Sequence, residues 1–283
     1  MDCNQQSEEV VNDEIESLLK GSIDLNVHAA PDIPKRRMDA LETTRAAYEA
    51  GMGGFVLKSH NYLTYPLTYA LSQMYPGLEI YGSISLNSPV GGINPEAVET
   101  AARLGTKVVW MPTISAGFHL SKTNSGNGLN ILDKSEKLTD ETFEIIDIVQ
   151  ANDLVLASGY ISPLETMKLF GAARDHGVRK MIVTHPEELL EDQLKNLTTL
   201  GAYMEYSFLS CMPSTAKISP MVFSAQILNT GIERSVVTTA FGQPVNPPPS
   251  EGMRMAIAAL LDSGMSPKNI SRLVKDNPSE LLN

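Results

Sequence analysis

Eight short runs rich in β-forming residues alternate with amphipathic helical segments along nearly the whole chain, and this alternation limits the fold more than any other feature. The runs are 23–28, 54–58, 79–85, 107–112, 154–158, 180–184, 202–207 and 235–239. Helical patterns fall between and after them at 38–50, 66–74, 95–104, 140–151, 163–176, 189–200, 220–230, 251–263 and 266–276. Strand starts recur every 22 to 33 residues, apart from one gap of 47. A strand that must pair in parallel with the next needs a crossover of this length, usually a helix. Eight such units in 283 residues predict the α/β class and one (β/α)8 barrel domain over 21–283, after a polar leader over 1–20. An open doubly wound sheet is the competing arrangement, but it seldom needs eight regular repeats.

Punctuation agrees with the helix assignments. Asn94-Pro95, Ser162-Pro163 and Ser266-Pro267 are cap-plus-proline starts, and Gly51, Gly105, Gly177, Gly201 and Gly231 stop a helix before the next run. The long gap, about 114–139, is polar and rich in Asn and Gly, which predicts a lid loop over the barrel mouth.

Composition removes several functions. A formal net charge of -11 argues against nucleic acid, and the one dense basic cluster, Lys35-Arg36-Arg37, reads as a solvated loop. No apolar stretch is long enough for a membrane span, and the first twenty residues lack the pattern of a secretion signal. Two cysteines make no disulfide framework, which fits a reducing, cytoplasmic compartment. The expected partner is a small molecule, with room left for a homo-oligomer.

In a barrel, side chains just past the C-terminal ends of the strands converge on one face. That register selects His185, Lys58, His60, Tyr160 and Glu205 as catalytic candidates, and Asn26, His28, Trp110, Asn87 and Gln243 as substrate contacts. Three of the five histidines fall at strand ends. Lys58 closes a buried apolar run beside His60, which suits proton transfer or imine chemistry, with an ion pair to Glu205 as the structural alternative.

Asp24-Leu25-Asn26-Val27-His28 is similar to the Asp-x-His-x-His opening of the amidohydrolase superfamily. With Lys58-Ser59-His60, Gly91-Gly92-Ile93-Asn94-Pro95, Trp110-Met111-Pro112-Thr113, Thr184-His185-Pro186, Gly242-Gln243 and Asp276-Asn277-Pro278, the chain from about Gly21 onward resembles an amidohydrolase-like barrel family of largely unassigned function. The resemblance implies a metal site at the barrel mouth, and its donor pattern survives only in part. His28 and His185 match ligand histidines, whereas Asn26 and Tyr160 stand at two other histidine positions and Ala240 at that of the aspartate base.

No cofactor is therefore expected, and the favoured reading is metal-independent acid–base chemistry of the lyase, isomerase or cyclase type on an oxygenated, carbonyl-containing substrate. Two alternatives are a hydrolase with a single zinc on His28, His60 and His185, and a catalytically silent ligand-binding barrel.

Overall fold

The computed structural model describes residues 3–215 and 217–283. All eight expected strands are present: β1 (Ile23–Val27), β2 (Gly54–Leu57), the pair β3 (Glu79–Tyr81) and β4 (Ser83–Ser85), β5 (Val108–Trp110), β6 (Val155–Ala157), β7 (Met181–Val183), β8 (Tyr203–Ser207) and β9 (Ser235–Thr238). The strand order is β1-β2-β3 in one sheet and β4 to β9 in sequence in the other. β3 and β4 are one barrel strand broken at Gly82, where a Cβ would sit 2.6 Å from the Tyr65 Cα. From β4 to β8 all pairs are parallel, with Ser85 opposite Trp110, Trp110 opposite Ala157 and Ala157 opposite Ile182. Eight strands in chain order, each followed by helix, form a (β/α)8 barrel.

Three helices match the expectation end to end: α4 (Pro95–Leu104), α6 (Asp140–Ala151) and α9 (Pro220–Thr230). Their entries explain why. Asn94, Thr139 and Ser219 each accept a hydrogen bond from backbone N–H groups of the first turn, which have no partner inside the helix. Such a cap contributes about 1 kcal/mol.

Packing divides the chain into two compact units. The first comprises Met1–Phe55, Leu71–Ile80 and Ser207–Glu280. The segment read as a polar leader is instead largely the helix α1 (Cys3–Leu19), with Ile15, Leu18 and Leu19 buried. It packs on α10 (Pro249–Asp262), where Arg254 bonds Glu16 at 2.6 Å. β1 and β9 are neighbours in this unit, joined by buried Asp24, which accepts hydrogen bonds from the N–H and the hydroxyl of Thr239.

The second unit comprises Val56–Ala70, Tyr81–Tyr206 and Leu281–Asn283. Its core includes the row of apolar strand residues Ile84, Val109, Leu156, Ile182 and Met204, all buried, as are helix residues such as Ile145 and Leu169. Burying each such side chain is worth about 1.5–3 kcal/mol, so this row is a main source of stability for the unit. The expected lid over 114–139 is pinned rather than loose. Gly117 N–H donates to the Leu129 carbonyl and Leu129 N–H to that of Ser115, both at 2.7 Å. Glu165 of α7 (Pro163–Asp175) accepts from the Ile131 N–H at 3.0 Å. A short helix, α5 (Gly117–Thr123), lies within this segment.

Candidate active site

In the second unit, the chain just past the strands brings five expected residues into one cluster, and Tyr160 is its hub. The Tyr160 ring centroid lies 4.7 Å from that of His185, edge to face, and 5.9 Å from that of His60. The Lys58 Nζ lies 3.6 Å from the Trp110 ring centroid and 5.7 Å from that of Tyr160. Lys58 and Trp110 are fully buried, and the Trp110 ring forms a floor under the Lys58 side chain. Glu205 is also buried in this unit, within β8.

Local backbone explains the place of Tyr160. Gly159 has φ +63, and a Cβ there would meet the Met111 and Pro112 carbonyl oxygens at 2.3 and 2.6 Å. Only glycine allows the chain to turn so closely past the end of β5. The Tyr160 N–H then donates to the Pro112 carbonyl at 2.9 Å.

Asn87, expected as a substrate contact, spends its side-chain amide on the scaffold. Its amide nitrogen donates to the His60 carbonyl (3.0 Å) and the Thr113 hydroxyl (2.7 Å), and its oxygen accepts from the N–H groups of Thr113 (2.8 Å) and Ser115 (3.1 Å). An amide has two donor hydrogens and two lone pairs, so these bonds exhaust it. Asn87 thereby positions His60, whose Nδ1 is 2.7 Å from the Thr113 hydroxyl.

His185 has a defined polarity. Its Nδ1 lies 3.0 Å from Glu187 Oε1, and a carboxylate can only accept. Nδ1 therefore carries a proton, which leaves the Nε2 lone pair available to a proton, the arrangement of a general base.

His119 lies in the segment 114–139 expected as a lid and is not among the expected site residues. The helix α5 instead carries it to the cluster, 5.1 Å from the Tyr160 ring. Burial, together with nearby His185 and Lys122, lowers the His119 pKa below its ordinary 6.5. The unfolded chain then binds more protons than the folded one as pH falls through about 6.5, so this residue makes stability decrease on acidification. His119→Gln should flatten that decrease, read as the shift in urea midpoint between pH 7 and pH 5. An equal or larger shift in the variant would remove this account.

The remaining candidates lie in the first unit. Asn26 N–H donates to Asp24, and Gln243 closes the turn after β9 by donating to the Ala240 carbonyl and accepting from the Asn246 side chain, both at 2.9 Å. Ala240 holds φ +53, a left-handed backbone better tolerated by Asp or Asn than by Ala. His28 is buried and meets Arg36, whose Nη2 is 3.3 Å from the His28 Nδ1. The Arg36 side chain is 7% exposed and pairs with Asp32 at 2.6 Å, so Lys35-Arg36-Arg37 is not wholly a solvated loop.

Comparison with known proteins adds to this geometry. A family model, described as a family of unknown function (DUF6282), matches residues 21–205. The chain belongs to that family. No curated protein sequence matches this member. Among solved structures it is similar to an amidohydrolase from Pseudomonas aeruginosa, with a TM-score of 0.68 at 11% identity over 96% of this chain and 98% of that one. It is also similar to the probable dipeptidase PvdM from Pseudomonas aeruginosa, with a TM-score of 0.67 at 10% identity over 97% and 98%. A lactonase from Listeria monocytogenes gives 0.60 at 12% identity over 95% and 96%. The fold of this family member is thus the amidohydrolase-like barrel. No helix among its described residues is long and apolar enough to cross a membrane.

The resemblance implies metal donors at the strand ends, and the side chains present depart from that pattern at Asn26, Tyr160 and Ala240. Among the described residues, no three His, Cys, Asp or Glu side chains group as ligands. Past the end of β6, Tyr160 offers a phenol ring packed on His185, and past β9 Ala240 offers a methyl group. At His28, Nδ1 faces an arginine N–H rather than the carboxylate or carbonyl that usually supports a ligand histidine.

Proposed function

We propose that this family member is a small-molecule enzyme that moves protons next to a carbonyl group without a metal, in an elimination, isomerisation or cyclisation. The observation that carries this reading is the cluster around Tyr160, with His185 oriented by Glu187 on one side and the buried Lys58 nearby. His185 Nε2 removes a proton from the carbon beside the carbonyl, and the carbonyl oxygen gains negative charge as the C–H electron pair moves inward. The Lys58 ammonium and the Tyr160 hydroxyl are the donors available to that oxyanion, in a site where such groups act more strongly than in water. His60, held by Thr113 and Asn87, is available to return the proton elsewhere on the substrate. The strong negative charge and the aromatic surroundings favour a small, oxygenated, unsaturated guest over nucleic acid.

The printed names of the similar structures, a dipeptidase and a lactonase among them, favour hydrolysis as the second reading. Solvent deuterium distinguishes the two. Protein dialysed against a chelator should exchange deuterium from heavy water into the carbon beside the carbonyl of at least one compound in a panel of small ketones, 2-oxo acids and enones, read by NMR. His185→Ala should slow that exchange by about 10²-fold or more. Turnover that requires added zinc, or exchange that survives His185→Ala, would replace this reading with the hydrolytic one.

A further inference from the structure

The polarity of His28 is opposite to that of His185. Arg36 Nη2 lies 3.3 Å from His28 Nδ1, and a guanidinium has donors only. Nδ1 must therefore present its lone pair, which puts the proton of a neutral imidazole on Nε2. Protonating Nδ1 as well would set one N–H against another beside a full positive charge. Arg36 cannot easily turn away, because Nε and Nη2 both donate to Asp32 Oδ2, at 2.8 and 2.6 Å. The Asp32 side chain is fully buried, and its other oxygen accepts from the Ile33 N–H at 2.9 Å. The backbone of His28 is equally fixed. Its N–H donates to the Phe241 carbonyl at 2.8 Å, and Gly242 lies so close that a Cβ there would meet the His28 carbonyl oxygen at 2.3 Å.

A histidine that ligates a metal through Nε2 needs that nitrogen deprotonated and usually donates its Nδ1–H to a carboxylate or carbonyl. The row Asp32–Arg36–His28 reverses this arrangement. We infer that Arg36, braced by Asp32, is a positioning residue that keeps the His28 proton on Nε2 and so bars His28 from ligating a metal through that nitrogen. The inference is independent of the base proposed at His185, and either can fail without the other. It also separates two causes of a lost metal site. Loss of ligands at Asn26 and Ala240 can be reversed by restoring donors, whereas a reversed supporting contact continues to oppose binding after the donors return.

Histidine-labelled wild-type protein tests the first half. Long-range proton–nitrogen correlation spectra distinguish the two neutral tautomers and the imidazolium, and the His28 signals are those lost in His28→Gln. The expected pattern at neutral pH is the Nε2–H tautomer alone, and an Nδ1–H or imidazolium pattern overturns the inference. Zinc affinity tests the second half, measured by competition with a chromophoric chelator in the background Asn26→His/Ala240→Asp. Adding Arg36→Met with Asp32→Asn should tighten zinc binding by about 10- to 100-fold, the range associated with contacts that support a ligand. Unchanged affinity would overturn the role given to Arg36. The wild-type spectrum decides the first half whether or not the Arg36 variant folds.

Discussion

Lys58→Met is expected to lower turnover by about 10²-fold or more, chiefly in kcat. The side chain is 1% exposed, with its ammonium 3.6 Å from the Trp110 ring centroid. A buried cation–π contact is worth about 2 kcal/mol. A lysine held on Trp110 and near Tyr160 is well placed to stabilise negative charge that appears only as the reaction proceeds. Removing one donor of that kind typically costs 10²- to 10³-fold in kcat. Methionine keeps the length and apolar stem of lysine, so packing on Trp110 is largely retained while the charge is lost. The split between constants is informative, because a group that acts in the transition state lowers kcat and kcat/KM together. Initial rates on the compound found in the exchange panel provide the measurement. A variant with kcat within about threefold of wild type would make Lys58 a packing residue and move the oxyanion donor elsewhere.

The barrel was legible because its signals are local and repeated. Strand ends agree within one or two residues for most runs, since apolar β-rich stretches and glycine stops mark both boundaries. The third strand was read as one run, and its break at Gly82 depends on the close approach of Tyr65, which no local pattern records. The helix α1 carries little sequence signal because Cys3–Leu19 is largely polar, without clear apolar periodicity. The helix α5 was missed for a related reason. Its seven residues lie in a polar segment rich in Asn and Gly, too short to show a period.

At the candidate site, residue type was more legible than role. The strand-end register selected Lys58, His60, Tyr160 and His185, which the fold does bring around one ring or its neighbours. It could not show that Asn87 spends every hydrogen bond on the scaffold, because that depends on the path of the chain after β5. It also left His119 in the lid and Arg36 among solvated charges. A signal for Arg36 was present in the four-residue spacing from Asp32, which lets the two side chains meet over one turn of chain. The tautomers of His28 and His185 lie beyond any sequence pattern, since each is set by which single atom faces Nδ1.

Asp24→Ala should be among the most damaging single changes to stability, at about 3–5 kcal/mol, although Asp24 is not a catalytic candidate. The carboxylate is fully buried in β1. Oδ1 accepts from the N–H groups of Asn26 and Thr239, each at 3.1 Å, and Oδ2 accepts from the Thr239 hydroxyl at 2.5 Å. The Thr239 oxygen in turn accepts from the Phe241 N–H at 3.1 Å, and the Phe241 carbonyl accepts from the His28 N–H. One carboxylate thus joins β1 to β9 and sets the chain that follows each of them. Alanine leaves several buried donors without acceptors, at about 1–3 kcal/mol for each. For a chain of this size each kcal/mol lowers Tm by roughly 2–4 °C, so a fall of about 6–20 °C is expected in thermal unfolding followed by circular dichroism. Asp24→Asn retains one acceptor oxygen and the side-chain volume, and should lose less. This role gives the aspartate of the opening Asp24-Leu25-Asn26-Val27-His28 a structural duty of its own. The aspartate serves the seam between strands whatever occupies the site, and it holds Asn26 through a backbone N–H that any non-proline residue there would present. If Asp24→Ala lowered Tm by less than about 3 °C, the seam would not depend on this carboxylate, and its presence in the opening would need another cause.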